Sequence, residues 1–522
     1  MTTDTLARAG KREWVGLAVL GLPTLLLSLD MSVLYLALPH LSAELGATGV
    51  QQLWITDIYG FMIAGFLVTM GTVGDRVGRR KLLLIGAVAF GVASVVAALS
   101  TSAEMLIAAR ALLGVAGATL MPSTLALIGN MFADPRQRGL AIGVWMSCFL
   151  GGVAAGPIIG GALLGAFWWG AAFLLGVPVM LVLLVAGPLL LPEFRAPQAG
   201  RVDLASVALS LAAILPLIYG LKELAQAGRQ PLPLAAILAG VIFAVAFVRR
   251  QRRLADPLLD LRLFSDRTFS SALGVWLLFG AVQGGSYLFF ALYLQVVAGL
   301  SPIEAGLRLV PSAIAMIVAS LLAPVLARRI RPGSLIAAGL LVAAGGYVVL
   351  TLVDGGGGVP IVVAGLVVSL FGVGVAGALG TGLIIGSVPS AKTGSAAALS
   401  ETSGQFGIAL GIAVMGTIGT VLYQGRFAAP EGLPAGVASA AEESIAGATI
   451  AARTLPGDAA TRLLDAARDA FSSGISSLAW ISALFFVALA ILAAVTLRQA
   501  PPTGGAVPAE EDGRHADEVA RA

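Results

Sequence analysis

The chain has 522 residues, of which 58% are apolar and 11% charged, and its mean hydropathy is +0.94. These values exclude a soluble globular domain and predict an all-α polytopic membrane protein, because a chain that crosses lipid repeatedly must pair its backbone groups within helices. One cysteine, two histidines and a net charge of only +4 give no basis for a disulfide framework, a metal or cofactor site, or a nucleic-acid partner.

Hydropathy predicts fourteen spans, each close to the roughly 20 apolar residues that a helix needs to cross a bilayer. They fall into three stretches of the chain, at 14–191, 203–248 and 269–497. An N-terminal segment (1–13), a basic linker (249–268), a long outer loop (425–472) and a tail (498–522) lie outside the membrane, and the tail's Pro-rich acidic composition predicts disorder. The predicted spans are 14–38, 53–73, 82–100, 105–131, 139–163, 167–191, 203–221, 232–248, 269–297, 305–327, 334–353, 359–388, 394–423 and 473–497.

Basic residues are distributed unevenly between alternate loops. The loops on the side of the N-terminus hold most of the arginines and lysines, whereas the short loops on the other side hold only Lys222 and Arg229. Because basic loops stay in the cytoplasm, this asymmetry predicts a cytoplasmic N-terminus. An even number of spans returns the C-terminus to the same side.

The first span contains an acid, Asp30, about nine residues or ~13 Å from its outer end at Pro39. A carboxylate at this depth costs at least about 2–3 kcal/mol, and such residues commonly carry protons or bind cations. The alternative is a structural acid bonded to neighbouring hydroxyl groups. In the second span, Asp57 lies between Trp54 and Tyr59. It is either a second coupling acid or an interfacial acid without such a role.

The loop between spans two and three combines glycines with charge, from Gly71 to Lys81. Its glycines permit a tight turn, and its acid can cap the next helix while pairing with an arginine. The alternative is a basic loop that only sets topology. The glycines and charged residues that define this loop are Gly71, Asp75, Arg76, Gly78 and Arg79.

Spans four and five carry a buried charge and a run of small residues. Arg110 lies about five residues into span four, where it either extends to the outer surface or provides a fixed positive charge beside an acid. In span five, glycines four residues apart allow close helix packing, and Pro157 favours a bend. The run is defined by Gly152, Gly156, Pro157 and Gly160.

Several polar and aromatic residues in the spans are candidates for a ligand site. Glu401 lies near the middle of span thirteen among Ser400, Thr402, Ser403 and Gln405, where it is either a proton carrier or a structural carboxylate. Aromatic side chains in other spans can stack on flat or quaternary cations, although most such residues only pack. The predicted lining comprises Trp54, Tyr59, Trp145, Met146, Gln283 and Tyr287.

These segments together resemble the major facilitator superfamily. The loop 71–81 resembles its G-x-x-x-D-R-x-G-R-R-[KR] signature, which acts there as a charged latch. The run 151–161 resembles the signature of drug-exporting antiporters, and Arg110 matches an arginine of the fourth-helix motif implicated in proton transfer. The segments around Asp30, Trp54 and Glu401 resemble those of the fourteen-helix drug/proton antiporters that export quaternary ammonium compounds.

Two positions depart from the pattern of that branch. Tyr35 replaces its usual asparagine and is expected to alter the lining of the ligand site. Met316 occupies a position in span ten where some members carry an acid, which argues against a preference for divalent cations.

The resemblance implies a monomeric, proton-coupled antiporter of the bacterial inner membrane, with the major facilitator fold of two six-helix bundles and an inserted hairpin. Asp30, Asp57, Arg110 and Glu401 would couple protons to the export of small, lipophilic, mainly monovalent cationic drugs or dyes, in contact with membrane lipids. A proton-coupled exporter of a lipid or cell-envelope precursor shares this fold and remains an alternative. An importer would lack the glycine-proline run. An enzyme would need a nucleophile with a base, and no histidine lies within a predicted span to serve as that base.

Overall fold

A computed structural model of the chain describes residues 8–47, 49–195, 203–227, 231–254, 257, 259–353, 358–389 and 392–498. The predictions for residues 1–7 and for the tail from 499 onward lie outside these described residues. The described chain is helical, with a 3-10 turn at Leu261–Ser265 and a π-helical turn at Tyr293–Val297. The α-helices are α1 (Lys11–Leu45), α2 (Gly49–Val77), α3 (Arg79–Ala98), α4 (Ala103–Met131), α5 (Pro135–Ala166), α6 (Ala171–Leu174), α7 (Gly176–Leu190), α8 (Leu204–Ala227), α9 (Pro231–Gln251), α10 (Arg267–Leu292), α11 (Pro302–Leu326), α12 (Pro332–Leu350), α13 (Val359–Gly386), α14 (Thr393–Gln424), α15 (Ala435–Glu443), α16 (Ile445–Ala452) and α17 (Gly457–Thr496).

Local sequence signals set several helix starts. The Ser102 hydroxyl accepts a hydrogen bond from the Met105 backbone N–H and caps α4, and the Asp266 carboxylate caps α10 through the N–H of Phe269. Ser301 and Glu304 form a reciprocal capping box at the start of α11. Such caps satisfy N–H groups that have no partner within the helix and stabilise it by about 1 kcal/mol.

Within the described residues, twelve helices are long and apolar enough to cross a membrane, or thirteen if the bent helix α5 is one span. The fourteen spans predicted from the sequence therefore stay a prediction. In α5 the segments Pro135–Val153 and Ile158–Ala166 meet at 44°. Pro157 lies between them and has no N–H to donate to the preceding turn, which accounts for the bend.

The membrane helices pack into two groups. In the first group α1 packs on α5 and α7, and α4 packs on α2 and α3. In the second group α10 packs on α14 and α17, and α13 packs on α11 and α12. The groups meet where α5 contacts α11 and where α2 contacts α14.

Helices α8 and α9 pack on each other, and α8 also contacts α2 and α14. The base of this pair is held by Asp203, which accepts two hydrogen bonds from the Arg250 guanidinium, at 2.7 and 3.1 Å. These hydrogen bonds, with a third from Ser206, hold the pKa of Asp203 well below its usual range. Gln251 donates to the Ser206 hydroxyl at 2.7 Å, which joins the end of α9 to the start of α8.

The chain between α14 and α17, where the sequence predicts the outer loop 425–472, is largely helical. It contains α15 and α16, which pack on each other, and α16 packs on α17. Helix α17 begins at Gly457 and runs without interruption to Thr496, so it starts well before the predicted span 473–497. Residues after Gly457 are rich in alanine, and their helix propensity extends the helix beyond the apolar segment.

The side of the molecule where α1 begins, here called the basic face, is closed between the two groups. Gly143 of α5 lies so close to the Ser320 carbonyl of α11 that an added Cβ would lie 2.7 Å from that oxygen. Asp75 at the end of α2 accepts a hydrogen bond from the Ser395 hydroxyl of α14, at 3.2 Å. Both contacts hold the groups together near the same membrane boundary.

Candidate functional site

A buried ion pair joins α1 and α4. The Arg110 guanidinium lies 3.0 Å from the Asp30 carboxylate, with side-chain exposures of 1% and 10%. It also lies over the Tyr59 ring at 4.9 Å and near the Phe173 ring at 5.8 Å. Arg110 therefore does not extend to the outer surface. Because removal of one partner would leave an uncompensated buried charge, breaking this pair costs about 3–5 kcal/mol.

Glu401 lies half-buried on α14 and has no hydrogen bond or ion pair with any part of the chain that the structure describes. Its neighbour Ser400 accepts a hydrogen bond at its carbonyl from the Trp276 indole N–H, at 3.1 Å. Gln405 follows one helical turn later, on nearly the same face of α14. Within the described chain, Glu401 is thus a carboxylate without a compensating charge.

A small cavity separates α14 from the first group of helices. Its volume is about 20 Å³, which accommodates one or two water molecules. Its lining comes from α1, α2, α4, α5 and α14, and two of the lining side chains are polar, Tyr59 and Gln405. The complete lining is Leu27, Tyr59, Gly60, Ile63, Met121, Phe149 and Gln405.

The remaining predicted ligand residues are dispersed. Trp145 is buried and its indole N–H donates to the Thr124 hydroxyl, at 3.2 Å. Gln283 has a buried carbonyl oxygen without a partner in the described chain. Met146 is buried and Met316 half-buried, and the side chains of Tyr35 and Tyr287 lie outside the described residues.

The N-terminal end of α2 faces α8 rather than the cavity. The Trp54 ring stacks on Tyr219 of α8, with centroids 6.3 Å apart, and its edge contacts Phe61. Asp57 is half-buried on the same stretch of α2. Trp54 therefore lies in the contact between α2 and α8. Of the three predicted site residues Trp54, Asp57 and Tyr59, only Tyr59 lines the cavity.

The turn between α2 and α3 is held by an ion pair, a glycine with positive φ and a hydrogen bond to the linker. Asp75 near the end of α2 forms a buried ion pair with Arg79, the first residue of α3. Gly78 adopts a positive φ of 118°, which a residue with a Cβ rarely adopts. The Arg76 guanidinium donates to the Pro257 carbonyl at 3.4 Å and so contacts the linker after α9.

Glu193, which the sequence analysis does not single out, caps the start of α3. Its carboxylate accepts hydrogen bonds from the backbone N–H groups of Arg80 and Lys81, at 3.1 and 3.2 Å. An acid at a helix N-terminus is favoured by the helix dipole. The sequence signal that could have identified Glu193 is an isolated acid directly after span six, which can pair with the basic loop after span two.

The run of small residues in α5 lies directly against α1. At Gly152 a methyl group would overlap the Leu25 carbonyl and the Ser28 hydroxyl. Gly156 and Gly160 are buried on the same helix, and Pro157 lies between them at the bend. The close contact between α1 and α5 therefore lies near Asp30, which α1 carries two residues after Ser28.

The model of the Major Facilitator Superfamily matches residues 20–412. The chain is 44% identical over 497 residues to the multidrug efflux pump LfrA of Mycolicibacterium smegmatis, covering 95% of this chain and 99% of that protein. It is 35% identical over 468 residues to the methyl viologen resistance protein SmvA of Salmonella typhimurium, covering 88% and 93%. Among solved structures, the human organic anion transporter MFSD10 superposes with a TM-score of 0.60 at 17% identity, covering 91% of this chain and 99% of that one.

Proposed function

Because the chain belongs to the Major Facilitator Superfamily, we propose that it is a drug exporter of the bacterial plasma membrane that exchanges protons for lipophilic, mainly monovalent organic cations. Its efflux-pump relatives support a transporter rather than an enzyme. The observation that carries the proposal is the charge arrangement around the small cavity between α14 and the first group of helices. A buried Asp30–Arg110 pair lies on one side, and the unpaired Glu401 lies one turn from a cavity residue on the other.

Glu401 attracts the cationic substrate in this scheme. At an effective dielectric of about 20, two opposite unit charges 4 Å apart attract by about 4 kcal/mol. A proton on the carboxylate removes that attraction, so protonation and cation binding exclude each other. Asp30 takes up the proton that drives the exchange, and its neutralisation leaves the Arg110 charge without its counter-ion.

The substrate requires a larger space than the present cavity. Drug-sized ligands occupy pockets of about 300–1,000 Å³, far more than the ~20 Å³ between α14 and the first group. The two groups of helices must therefore separate for binding, first on one side and then on the other. The contacts of Asp75 with Arg79 and Ser395 hold the basic face closed during the other half of this cycle.

The proposed topology has fourteen spans with both termini in the cytoplasm. The 26-residue helix α10, which packs on α14 and α17, would complete the count. Helices α8 and α9 would be the hairpin inserted between two six-helix bundles, and the basic face would be cytoplasmic. The protein would work as a monomer, since the ligand site is formed within one chain.

Dye efflux from everted vesicles tests the coupling, with and without a proton gradient. We expect Asp30→Asn to abolish gradient-driven efflux, because asparagine keeps the shape of the side chain but cannot titrate. Gradient-driven transport at the wild-type rate in this variant would contradict the role of Asp30. Glu44→Gln provides a matched control, because Glu44 lies on the same helix and accepts from the Trp169 indole at the outer end.

A second variant separates coupling from folding. Asp30→Asn leaves Arg110 buried without a charged partner, so the single change could destabilise the protein. The double variant Asp30→Asn/Arg110→Gln removes both charges. We expect it to elute as a folded monomer and still to lack gradient-driven efflux, whereas recovery of that efflux would show that only the unpaired guanidinium was harmful.

A further inference from the structure

The indole of Trp276 on α10 lies against α14 at the level of Glu401. Its N–H donates to the Ser400 carbonyl at 3.1 Å. That carbonyl belongs to the peptide that joins Ser400 to Glu401, so the indole holds the backbone directly before the acid. Within a helix the same oxygen accepts from the N–H four residues later, and a carbonyl oxygen has lone pairs for two donors. The indole therefore adds a hydrogen bond to α14 and replaces none.

Three glycines leave the space that the indole occupies. A Cβ added to Gly404 of α14 would lie 3.0 Å from the indole nitrogen, which is tighter than an ordinary contact. Cβ atoms added to Gly377 and Gly380 of α13 would lie 3.5 and 3.8 Å from the ring, at ordinary van der Waals distance. Gly404 is thus the glycine on which the close approach of the indole depends.

The indole is also held from its own helix. The Phe279 ring, three residues later on α10, stacks on it with centroids 5.1 Å apart and the two planes at 14°. Phe279 in turn contacts the edge of Phe486 on α17, with centroids 6.4 Å apart. Trp276 therefore joins α10, α13 and α14 at one level, and close packing on this scale leaves a ring little freedom to move.

Nothing in the described chain fixes the Glu401 side chain directly. Its carboxylate makes no hydrogen bond or ion pair with the described residues. The position of this charge therefore depends on the rotation and height of α14 at this turn. Because the attraction between opposite charges falls with their separation, a small movement of α14 changes the affinity for a cation.

We propose that Trp276 is a positioning residue that fixes α14 so that the Glu401 carboxylate faces the cationic substrate. The inference rests on the proposed export of cations and adds the residue that sets its charge selectivity. Trp276 acts through the backbone of α14, not through contact with the substrate. Loss of the indole hydrogen bond should therefore weaken the binding of cations and leave the binding of neutral compounds unchanged.

Calorimetry on the purified full chain tests this role, with tetraphenylphosphonium as the cation and triphenylphosphine oxide as a neutral compound of similar size. Trp276→Phe keeps an aromatic ring between the helices but removes the N–H. We expect the Kd for the cation to rise about threefold to tenfold, the effect of losing one hydrogen bond, and the Kd for the neutral compound to change less than about twofold. Trp169→Phe is the control, because it also removes an indole hydrogen bond, to Glu44 on α1, and should change neither constant.

Two glycine variants test the geometry with the indole in place. Gly404→Ala adds a methyl group 3.0 Å from the indole nitrogen, so it should displace the indole and reproduce the effect of Trp276→Phe. Gly380→Ala adds the same group at 3.8 Å from the ring and should leave both Kd values within about twofold of wild type. The comparison cancels the higher helix propensity of alanine, which both variants share.

A double-mutant cycle shows whether Trp276 acts through Glu401. Trp276→Phe in the Glu401→Gln background should cause no further loss of cation binding, because no charge remains to be positioned. Additive losses would mean that Trp276 contacts the cation independently, and would overturn the proposal. An unchanged cation Kd in Trp276→Phe or in Gly404→Ala would overturn it as well, as would an equal loss for the cation and the neutral compound.

These results differ from a failure of the proposed function. If Glu401→Gln alone leaves the binding of tetraphenylphosphonium unchanged, the role of Glu401 in cation export is wrong whatever the Trp276 variant does. If Glu401→Gln weakens that binding and Trp276→Phe does not, the cation site stands and only the positioning role of Trp276 is refuted.

Discussion

At the scale of single residues, the charges within the membrane fall into two classes. Asp30 and Arg110 neutralise each other across two helices, whereas Glu401 has no charged partner in the described chain. A paired carboxylate has little attraction left for an external cation, because its Coulomb energy is already satisfied. The unpaired Glu401 is therefore the stronger candidate for contact with a cationic substrate.

This difference predicts the charge selectivity of the protein. Glu401→Gln should weaken binding of a monovalent organic cation by tenfold or more, since a contact worth a few kcal/mol is lost. Binding of a neutral analogue of matched size should change by less than about threefold. Calorimetry on purified protein at fixed pH measures both constants, and an equal loss for the two ligands would refute the charge role of Glu401.

The same experiment includes a dication. Met316 brings no negative charge to α11, so dications should bind more weakly than matched monocations. SmvA, 35% identical to this chain, is named for resistance to methyl viologen, which is a dication. Methyl viologen is therefore the most demanding probe, and tight binding of it would refute the inference from Met316.

At the scale of elements, the segment between α9 and α10 is tied to three helices. The Arg76 guanidinium of α2 contacts the Pro257 carbonyl, and Gln251 of α9 accepts from the Leu259 N–H at 3.2 Å. Asp260 forms an ion pair with Lys392 at the start of α14. Because these contacts join helices of both groups, the segment follows any movement at the basic face.

The Asp260–Lys392 pair predicts a pH-dependent contribution to stability. Partial burial acts to raise the pKa of Asp260, but hydrogen bonds from Lys392 and the Arg262 N–H outweigh it and hold the pKa below its usual value. A carboxyl group with a lowered folded-state pKa stabilises the fold above its unfolded-state pKa of about 3.9. That contribution is lost as the pH falls through the lower folded-state pKa.

Asp260→Asn should therefore lower the melting temperature at pH 7 by about 1–2 °C, since exposed ion pairs contribute less than about 1 kcal/mol. The difference between variant and wild type should shrink as the pH falls below the unfolded-state pKa and should vanish once the pH is below the lowered folded-state pKa of Asp260, where its carboxyl group is uncharged. Differential scanning fluorimetry in detergent measures it. Glu431→Gln, an exposed acid outside any ion pair of the described residues, serves as control, and a difference between variant and wild type that does not shrink with falling pH would contradict the assignment.

At the scale of the whole molecule, the two groups of helices touch most extensively along two seams, α2 with α14 and α5 with α11. At the basic face the first seam is polar, through Asp75 and Ser395, whereas the second is a close contact between Gly143 and the Ser320 backbone. A polar contact can form and break without leaving apolar surface in water. The first seam is thus suited to a reversible latch.

Asp75→Asn should slow transport about threefold to tenfold without changing which compounds are exported, because the latch is remote from the cavity. The weaker acceptor no longer pairs with Arg79, so the closed basic face loses stability. Efflux rates for a panel of dyes measure the effect, with Asp203→Asn as a control at the same face. A changed dye spectrum at an unchanged rate would contradict the latch.

The sequence by itself determined the class of protein, most of the spans and the identity of the charged residues within them. Apolar runs of membrane length and isolated intramembrane acids are local properties, so Asp30, Arg110 and Glu401 could be identified without coordinates. Helix ends were less well predicted. Hydropathy indicates which residues lie in lipid, not where a helix begins. It therefore could not predict that α17 starts at Gly457.

Only the tertiary structure decided which of these residues meet. Asp30 and Arg110 are eighty positions apart in the sequence but form an ion pair. Tyr59 and Gln405 lie in different helix groups but line the same cavity. In a membrane helix both the lipid-facing and the core-facing sides are apolar, so the sequence pattern does not reveal the rotation of a helix about its axis. That rotation is set by close contacts such as the one between Gly152 of α5 and the backbone of α1. It brings Asp30, Arg110 and the cavity close to one another.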